Sequence, residues 1–369
     1  LEPHLLPPFS RIQPEHVEPA IRQLIETNKL RIEELLATDK GHTWGNLLQP
    51  IEELEDGLAK AWSPVSHLNS VCNSEALREA YNACLPLLSE YNTWMGQHSD
   101  LCAAYQQIVD GKAFATLDTA QQKSINQSLR DFRLAGVALP PDKKKDYGEL
   151  RQRLSKLGST FGENVLDATS AWSKQVTAEQ LRGLPETAMA SAKQAAVAAG
   201  HQDYLINLEF PSLSPVLNYC DDRELRETVY TAHCTRASEL GPNGGQWDNT
   251  ALITDTLQLR SELSQLLGFE NYAELSLATK MAESAASVVD FLQQLAEQSL
   301  SQAKEEWRQL VEFARNDSGL TDLQSWDVGY YSEKLRQNLY QVSQEDTRPY
   351  LPVNRVLPGL FEVVRRLYG

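Results

Sequence analysis

Aromatic, acidic and basic side chains are concentrated near the end of the chain, in the stretch SWDVGYYSEKLRQNLYQ. Trp326, Tyr330 and Lys334 follow one another at intervals of four residues, so on a helix they share a face, with Asp327 and Tyr331 beside them. Tyr and Trp combine apolar area with a hydrogen-bonding tip, which suits the wall of a wet groove that holds peptide. Spacing alone favours a simpler interpretation, in which the cluster is a buried aromatic anchor between two helices.

Other sequence patterns that could do chemistry are missing or ordinary. The sequence has no G-x-S-x-G nucleophile turn, no P-loop and no G-x-G-x-x-G dinucleotide turn. Its seven histidines include no pair at the i, i+4 spacing, and its five cysteines include no C-x-x-C, so no metal site is predicted from this chain. Acidic runs are expected background in so acidic a chain, and Asp221 and Asp222 are placed to complement the positive end of the following helix.

The charge balance restricts the partners of the protein. Lys and Arg number 34 against 50 Asp and Glu, a net charge of −16, which repels phosphate backbones and anionic lipid surfaces. Nucleic acid and membrane are therefore not predicted as partners. No apolar run is long enough for a membrane span, and the first residues carry prolines and charges where a signal peptide needs a continuous apolar stretch, so a cytoplasmic location is predicted.

Apolar residues recur at steps of three and four along most of the chain, the spacing of amphipathic helices. Gly268 suits a left-handed helix end, and Pro86 lies inside one of the helical patterns as a predicted kink. The longest predicted helices cover residues 76–95, 141–172, 250–267 and 288–314.

One region breaks the helical pattern. Tyr204, Ile206, Leu208 and Phe210 alternate with other residues, as in a strand, and the stretch WSKQVTAEQLRGLPE has a shortened period. The two stretches predict a small antiparallel ribbon with an Ala-rich helix between its strands. The predicted fold is mainly α with a small antiparallel β insert. Its predicted parts are an N-terminal helical region over 1–172, the β/helix insert over 173–215, and a second helical region over 216–369.

Several stretches resemble the thimet-oligopeptidase family of zinc metallopeptidases, and the resemblance covers essentially the whole chain. The pieces that carry it include LPPFSRIQPEHVEPAI, SPVSHLNSV, LREAYNACLPLLSEY, LRSELSQLLGFENYAELSLATKMAE, WDVGYYSEKLRQNLY and RPYLPVNRVLPGLFEVVRRLYG. The resemblance implies a multi-helix N-terminal half of a zinc oligopeptidase, which forms one wall of a deep channel that admits short peptides. Trp326, Tyr330, Tyr331 and Lys334 are then candidates for that channel wall.

The resemblance also implies where the chemistry lies. In that family a catalytic half follows, in which H-E-x-x-H binds zinc and supplies the Glu that activates water. The chain ends at Gly369 before such a motif, so no catalytic residue and no metal ligand is transferred to it. We expect zinc in the longer protein, short peptides as its substrates, and no activity from this chain alone.

Two other interpretations stay open at this stage. The first is a naturally truncated, non-catalytic helical protein that binds peptides or regulates a partner, and the second is a plain helical scaffold. If the chain is one half of an oligopeptidase, its partner is its own missing catalytic half. Val353–Val364 is then expected to expose apolar surface and to allow self-association.

Overall fold

The computed structural model describes residues 6–38 and 41–369. Helices dominate this part of the chain, with one small antiparallel sheet, so the predicted fold class is confirmed. Contacts group the chain into two units. Unit 1 contains the described residues up to Glu163 together with Ala251–Ala285, and unit 2 contains Asn164–Thr250 and Ala286–Gly369. The predicted division at residues 172 and 215 follows sequence pattern and stays a prediction.

In chain order the helices and strands are α1 (Pro14–Leu36), α2 (Gln49–Val71), α3 (Glu75–Gly96), α4 (Ser99–Asp110), α5 (Thr119–Leu134), α6 (Pro141–Ser170), β1 (Ser173–Val176), α7 (Glu186–Ala198), β2 (Tyr204–Asn207), α8 (Phe210–Tyr219), α9 (Arg223–Cys234), α10 (Thr250–Leu266), α11 (Tyr272–Leu277), α12 (Ala285–Ser318), α13 (Ser325–Tyr340), α14 (Gln344–Thr347) and α15 (Val353–Tyr368). The longest segment without a helix or strand between described elements is residues 235–249, between α9 and α10. Short 3-10 turns cover Phe9–Arg11, Lys112–Thr116 and Arg348–Tyr350, and a π-helical turn covers Trp44–Leu48.

Unit 1 buries the apolar faces of its helices in three clusters. Ile21 of α1, Val65 of α2 and Tyr91 of α3 belong to one cluster. A second cluster joins α4 and α5, and a third joins α6 to α10. The predicted helix over 76–95 is confirmed as α3, and Pro86 lies inside it.

The long predicted helix that starts at the Pro140–Pro141 pair is confirmed as α6. Tyr147 and Leu150 on its apolar stripe are buried against Leu259 and Leu263 of α10. The helix predicted over 250–267 is confirmed as α10, and Gly268 follows it with a φ of +82°, the left-handed end that favours glycine.

The predicted ribbon is present in unit 2. Strands β1 and β2 are antiparallel, with Ser173 opposite Asn207 and Val176 opposite Tyr204, and α7 connects them. The strand pattern was predicted to continue to Phe210, and this end is wrong. The strand ends at Asn207, and Phe210 is the first residue of α8, because Pro211 suits the first turn of a helix and cannot donate a hydrogen bond to a sheet. The surface of Phe210 is 76% exposed.

Two helices of unit 2 carry exposed apolar faces. The helix predicted over 288–314 is confirmed as α12, but much of its apolar stripe is exposed. The prediction that Val353–Val364 exposes apolar surface is also confirmed, since Leu360 and Phe361 of α15 are 54% and 67% exposed. Within the described ranges, none of the helices combines the length and apolar character needed to cross a membrane.

Candidate functional site

The predicted aromatic cluster lies on α13, which packs closely on α8. Gln324 precedes the helix, and its backbone N–H donates to Asp327 Oδ2 at 3.0 Å. At Gly329 the two helices come very near each other. A Cβ at this position would lie 2.8 Å from Asn218 Oδ1 and 3.3 Å from the carbonyl oxygen of Leu217. Glycine therefore allows the backbone of α13 to rest directly on α8.

Asp327 is the centre of a buried ion-pair network. Its side chain is fully buried, and it accepts hydrogen bonds from Arg223 Nη2 at 2.7 Å and from Arg226 Nη2 at 2.8 Å. Arg226 is also buried and donates from Nη1 to the carbonyl oxygen of Cys220 at 2.6 Å. Burial by itself would raise the pKa of Asp327, but the hydrogen bonds from Arg223 and Arg226 outweigh it and hold that pKa below its usual range.

Tyr330 connects α13 to the start of α9. Its hydroxyl donates to Asp221 Oδ1 at 2.8 Å, and the guanidinium of Arg226 lies 4.0 Å from the centre of its ring. Lys334 Nζ lies 4.9 Å from the same ring centre. Burial and the hydrogen bond to Asp221 raise the pKa of Tyr330, so the phenol stays neutral.

Tyr331 belongs to the contact between α13 and α12. It is buried in a cluster with Leu310 and Ala314, and its hydroxyl lies 2.7 Å from Ser318 Oγ. The Tyr330 and Tyr331 rings meet edge to face, with centroids 5.0 Å apart. Both tyrosines therefore act inside unit 2 as helix-packing residues.

Trp326 and Lys334 lie at the edge of the cluster. Trp326 is half-buried, its ring lies 6.2 Å from that of Tyr230, and its indole N–H has no acceptor among the residues that the structure describes. Lys334 pairs with Asp317 at 2.9 Å, and 37% of its side chain is exposed. Burial lowers the pKa of Lys334, but the hydrogen bonds with Asp317 and Tyr330 raise it by more, so its charge is retained at neutral pH.

Arg223, Arg226 and Asp221 were not among the residues predicted for this site. Their position in the sequence predicts that Asp221 and Asp222 both complement the positive end of the next helix, but in the structure the two residues have different partners. Asp222 accepts from the backbone N–H of Leu225 at 3.0 Å and caps α9, whereas Asp221 accepts from Tyr330. No local pattern could reveal the network, because its partners lie about one hundred positions away along the chain.

The described residues of the aromatic cluster make most of their contacts with neighbouring helices. The carboxylate of Asp327 is neutralised by two arginines, and the two buried tyrosines face other helices, so neither group is free to act on a ligand. In the described part of the chain, no group of three or more His, Cys, Asp or Glu side chains could hold a metal ion.

Two family descriptions match the chain. Residues 21–144 match the N-terminal domain of neurolysin and thimet oligopeptidase, and residues 216–369 match peptidase family M3. The second match includes the whole ion-pair network and the helices α12, α13 and α15.

Full-chain alignments agree with these matches. The chain is 52% identical over 370 residues to oligopeptidase A of Escherichia coli (strain K12). This alignment covers 100% of this chain and 54% of the relative. It is 50% identical to oligopeptidase A of Haemophilus influenzae, in an alignment that covers 99% of this chain and 54% of the relative. It is 34% identical to an organellar oligopeptidase A of Arabidopsis thaliana, in an alignment that covers 98% of this chain and 46% of the relative. The chain thus spans about half the length of these relatives. It belongs to peptidase family M3.

Proposed function

We propose that this chain is the N-terminal, channel-forming half of a zinc metallo-oligopeptidase that hydrolyses short peptides, and that it is inactive alone. The observation that carries this proposal is the match of residues 21–144 and 216–369 to two parts of one peptidase family, with an E. coli relative aligned over the whole chain. Zinc-dependent hydrolysis needs protein ligands for the metal and a general base. We assign these groups, and zinc itself, to the part of the longer protein outside this chain.

The three predicted parts receive different roles in this proposal. Residues 1–172 supply the outer helical wall of the channel, 173–215 form the β/helix insert, and 216–369 lead into the catalytic half. The start of the second family match at residue 216 supports the last division. We also propose a cytoplasmic location, which fits the name of one Arabidopsis thaliana relative, probable cytosolic oligopeptidase A.

Within this function, the four aromatic and basic residues have two roles. Tyr330 and Tyr331 are 6% and 4% exposed, so they hold α13 in place and offer little surface to a peptide. Trp326 and Lys334 keep part of their side chains exposed. We assign the contact with a peptide to these two, because an indole and an ammonium group can bind an extended chain by packing and by charge.

Val353–Val364 is proposed to contact the missing catalytic half in the longer protein. In the isolated chain the same face would remain open, and we propose that it leads to self-association at high concentration. Sedimentation analysis over a range of concentrations tests this point. A strictly monomeric profile at high concentration would contradict it.

A peptidase assay tests the proposed activity. The 369-residue chain, incubated with zinc and a short internally quenched peptide, is expected to show no hydrolysis. A longer chain, in which the unmatched half of E. coli oligopeptidase A follows Gly369, is expected to cleave the peptide and to lose this activity in a chelator. Chelator-sensitive cleavage by the 369-residue chain would overturn its assigned inactivity, and an inert longer chain would overturn the enzymatic role.

Sequencing the source DNA beyond the codon for Gly369 gives an independent test. An open reading frame that continues into H-E-x-x-H would support the proposal, because that motif supplies two zinc ligands and the general base. A stop codon at this point would favour a non-catalytic protein that binds peptides or regulates a partner.

A further inference from the structure

A single apolar stripe on α12 is covered at one end and open at the other. Leu310 and Ala314 on this stripe are buried in the cluster with Tyr330 and Tyr331 of α13. Toward the N-terminal end, the same steps of three and four residues continue through Trp307, Ala303, Ser299, Leu295 and Leu292. Every residue from 291 to 304 is exposed, and Leu292 and Leu295 each keep more than half of their surface in solvent. The open part is therefore continuous with an existing helix interface.

The second open surface is the apolar face of α15. None of the residues of this helix is buried. Its exposed apolar residues, between 43% and 82% accessible, are Val353, Val356, Leu357, Leu360, Phe361, Val363, Val364, Leu367 and Tyr368. At about 100° per residue they occupy one arc of about 160°, from which charged residues are absent. Arg355, Glu362, Arg365 and Arg366 lie on the opposite side.

The width of this arc indicates what kind of surface covers α15. Two helices that pair along a seam bury a narrow a/d stripe on each helix. An arc of about 160° is wider than such a stripe, so a single neighbouring helix, including α15 of a second copy, would leave part of it in water. The face fits a groove formed by at least two elements, the arrangement in which an amphipathic helix is bound along its apolar side.

We infer that the open stripe of α12 and the apolar face of α15 are both covered by the M3 polypeptide that the relatives carry beyond the matched half. This inference rests on the proposed function and specifies which surfaces hold the two halves together. Both helices lie inside the match to peptidase family M3, and the relatives contain nearly as much chain again outside the aligned region. The covering surface is thus part of the same domain and binds in cis.

Hydrogen exchange provides the test. Exchange is measured for the 369-residue chain, at a concentration where it sediments as a monomer, and for the longer chain completed with the unmatched half of E. coli oligopeptidase A. Amides of residues 291–304 and of α15 are expected to exchange at least about tenfold more slowly in the longer chain. Amides of α3 around Tyr91, which is already buried in unit 1, serve as the internal folding control and should be equally protected in both chains.

Matched substitutions in the longer chain locate the effect on the two faces. Leu295→Asp and Leu360→Asp are expected to restore fast exchange in α12 and α15 respectively. Gln294→Asp and Arg355→Asp place the same side chain on the opposite, exposed sides of these helices and should leave exchange slow. The control at Arg355 is stringent, because its change in charge is larger than that at Leu360.

The outcomes separate this inference from the proposed function. If the longer chain cleaves peptide but residues 291–304 and α15 exchange as fast as in the 369-residue chain, the inference and the proposed contact of Val353–Val364 are wrong, and the peptidase activity stands. If both segments become protected but no zinc-dependent cleavage appears, the inference stands and the function is wrong. If the longer chain protects both segments only when it dimerises, and not as a monomer, a second copy is the occupant and the inference is overturned.

Discussion

Arg226 donates from Nη2 to Asp327 Oδ1 at 2.8 Å, although the two residues lie 101 positions apart in the sequence. Only 2% and 0% of their side chains are exposed. Removing two charges from water is costly, and their mutual attraction compensates only when further hydrogen bonds satisfy the remaining polar groups. Arg223 supplies such bonds to Asp327, and the carbonyl oxygen of Cys220 accepts one from Arg226.

Asp327→Asn is expected to destabilise unit 2 strongly. The substitution leaves Arg226 buried without its counter-charge, and loss of one partner from a buried ion pair costs about 3–5 kcal/mol. The free energy of unfolding is measured by urea denaturation followed by far-UV circular dichroism. Glu305→Gln, which breaks an exposed pair with Arg308 in the same unit, serves as the control and should leave the midpoint unchanged.

The stability provided by Asp327 is expected to depend on pH in a defined direction. Its pKa in the folded protein is lower than in the unfolded chain, where an aspartate titrates near about 3.9. The contribution is therefore present above about pH 4 and is lost as pH falls through the folded pKa. The stability difference between wild type and Asp327→Asn should be constant from pH 5 to 7 and should shrink below about pH 4. A difference that stayed constant to pH 2 would contradict this assignment.

Sequence periodicity predicted the parts of the fold that depend on local pattern. The pattern predicts the helices α3, α6, α10 and α12 because apolar residues at steps of three and four form one apolar helix face. The ribbon was found because alternation breaks that pattern, and its end at Phe210 was wrong because Pro211 favours the start of a helix. Local chemistry therefore determined these elements and most of their ends.

Less of the candidate site could be predicted from the sequence. Helical spacing correctly placed Tyr330 and Lys334 on one face, and Lys334 lies 4.9 Å from the ring centre of Tyr330. Spacing could not reveal that Arg223 and Arg226 pair with Asp327, because that contact depends on tertiary packing between α9 and α13. For the same reason, no pattern could show which members of the cluster remain exposed.

Substitution of two helical glycines by alanine is expected to have opposite effects. At Gly329 the added Cβ would lie 2.8 Å from Asn218 Oδ1, which can turn away, and 3.3 Å from the backbone carbonyl oxygen of Leu217. Gly329→Ala should therefore displace α13 slightly from α8 and cost about 1–3 kcal/mol. At Gly158, inside α6, no atom outside the local helix lies within 4 Å of the added Cβ. Gly158→Ala should therefore stabilise unit 1 by up to about 1 kcal/mol through helix propensity. Thermal and urea unfolding measure both, and destabilisation at Gly158 or stabilisation at Gly329 would contradict the packing described.

In unit 1, half-buried Glu55 pairs with buried Tyr91. The pKa of Glu55 is shifted in the opposite direction to that of Asp327. Tyr91 is fully buried and donates its hydroxyl to Glu55, and Asn28 Nδ2 lies 3.4 Å from the same hydroxyl. Burial raises the pKa of Glu55 above its usual range, and the hydrogen bond from Tyr91 lowers it in part. The two effects can be separated because Tyr91→Phe keeps the ring and removes the donor.

Tyr91→Phe is therefore expected to raise the pKa of Glu55 further, as measured by carbon NMR of its carboxyl group. A carboxyl group whose pKa is raised by folding favours the folded state at low pH and loses this contribution as pH rises through the folded pKa. The variant should thus be destabilised most above the Glu55 pKa, by about 1–3 kcal/mol, and less at pH 4. Tyr147→Phe, which removes the phenol of another buried tyrosine in unit 1, is the control. A Glu55 pKa that was unchanged or lowered in Tyr91→Phe would show that Tyr91 does not stabilise the carboxylate.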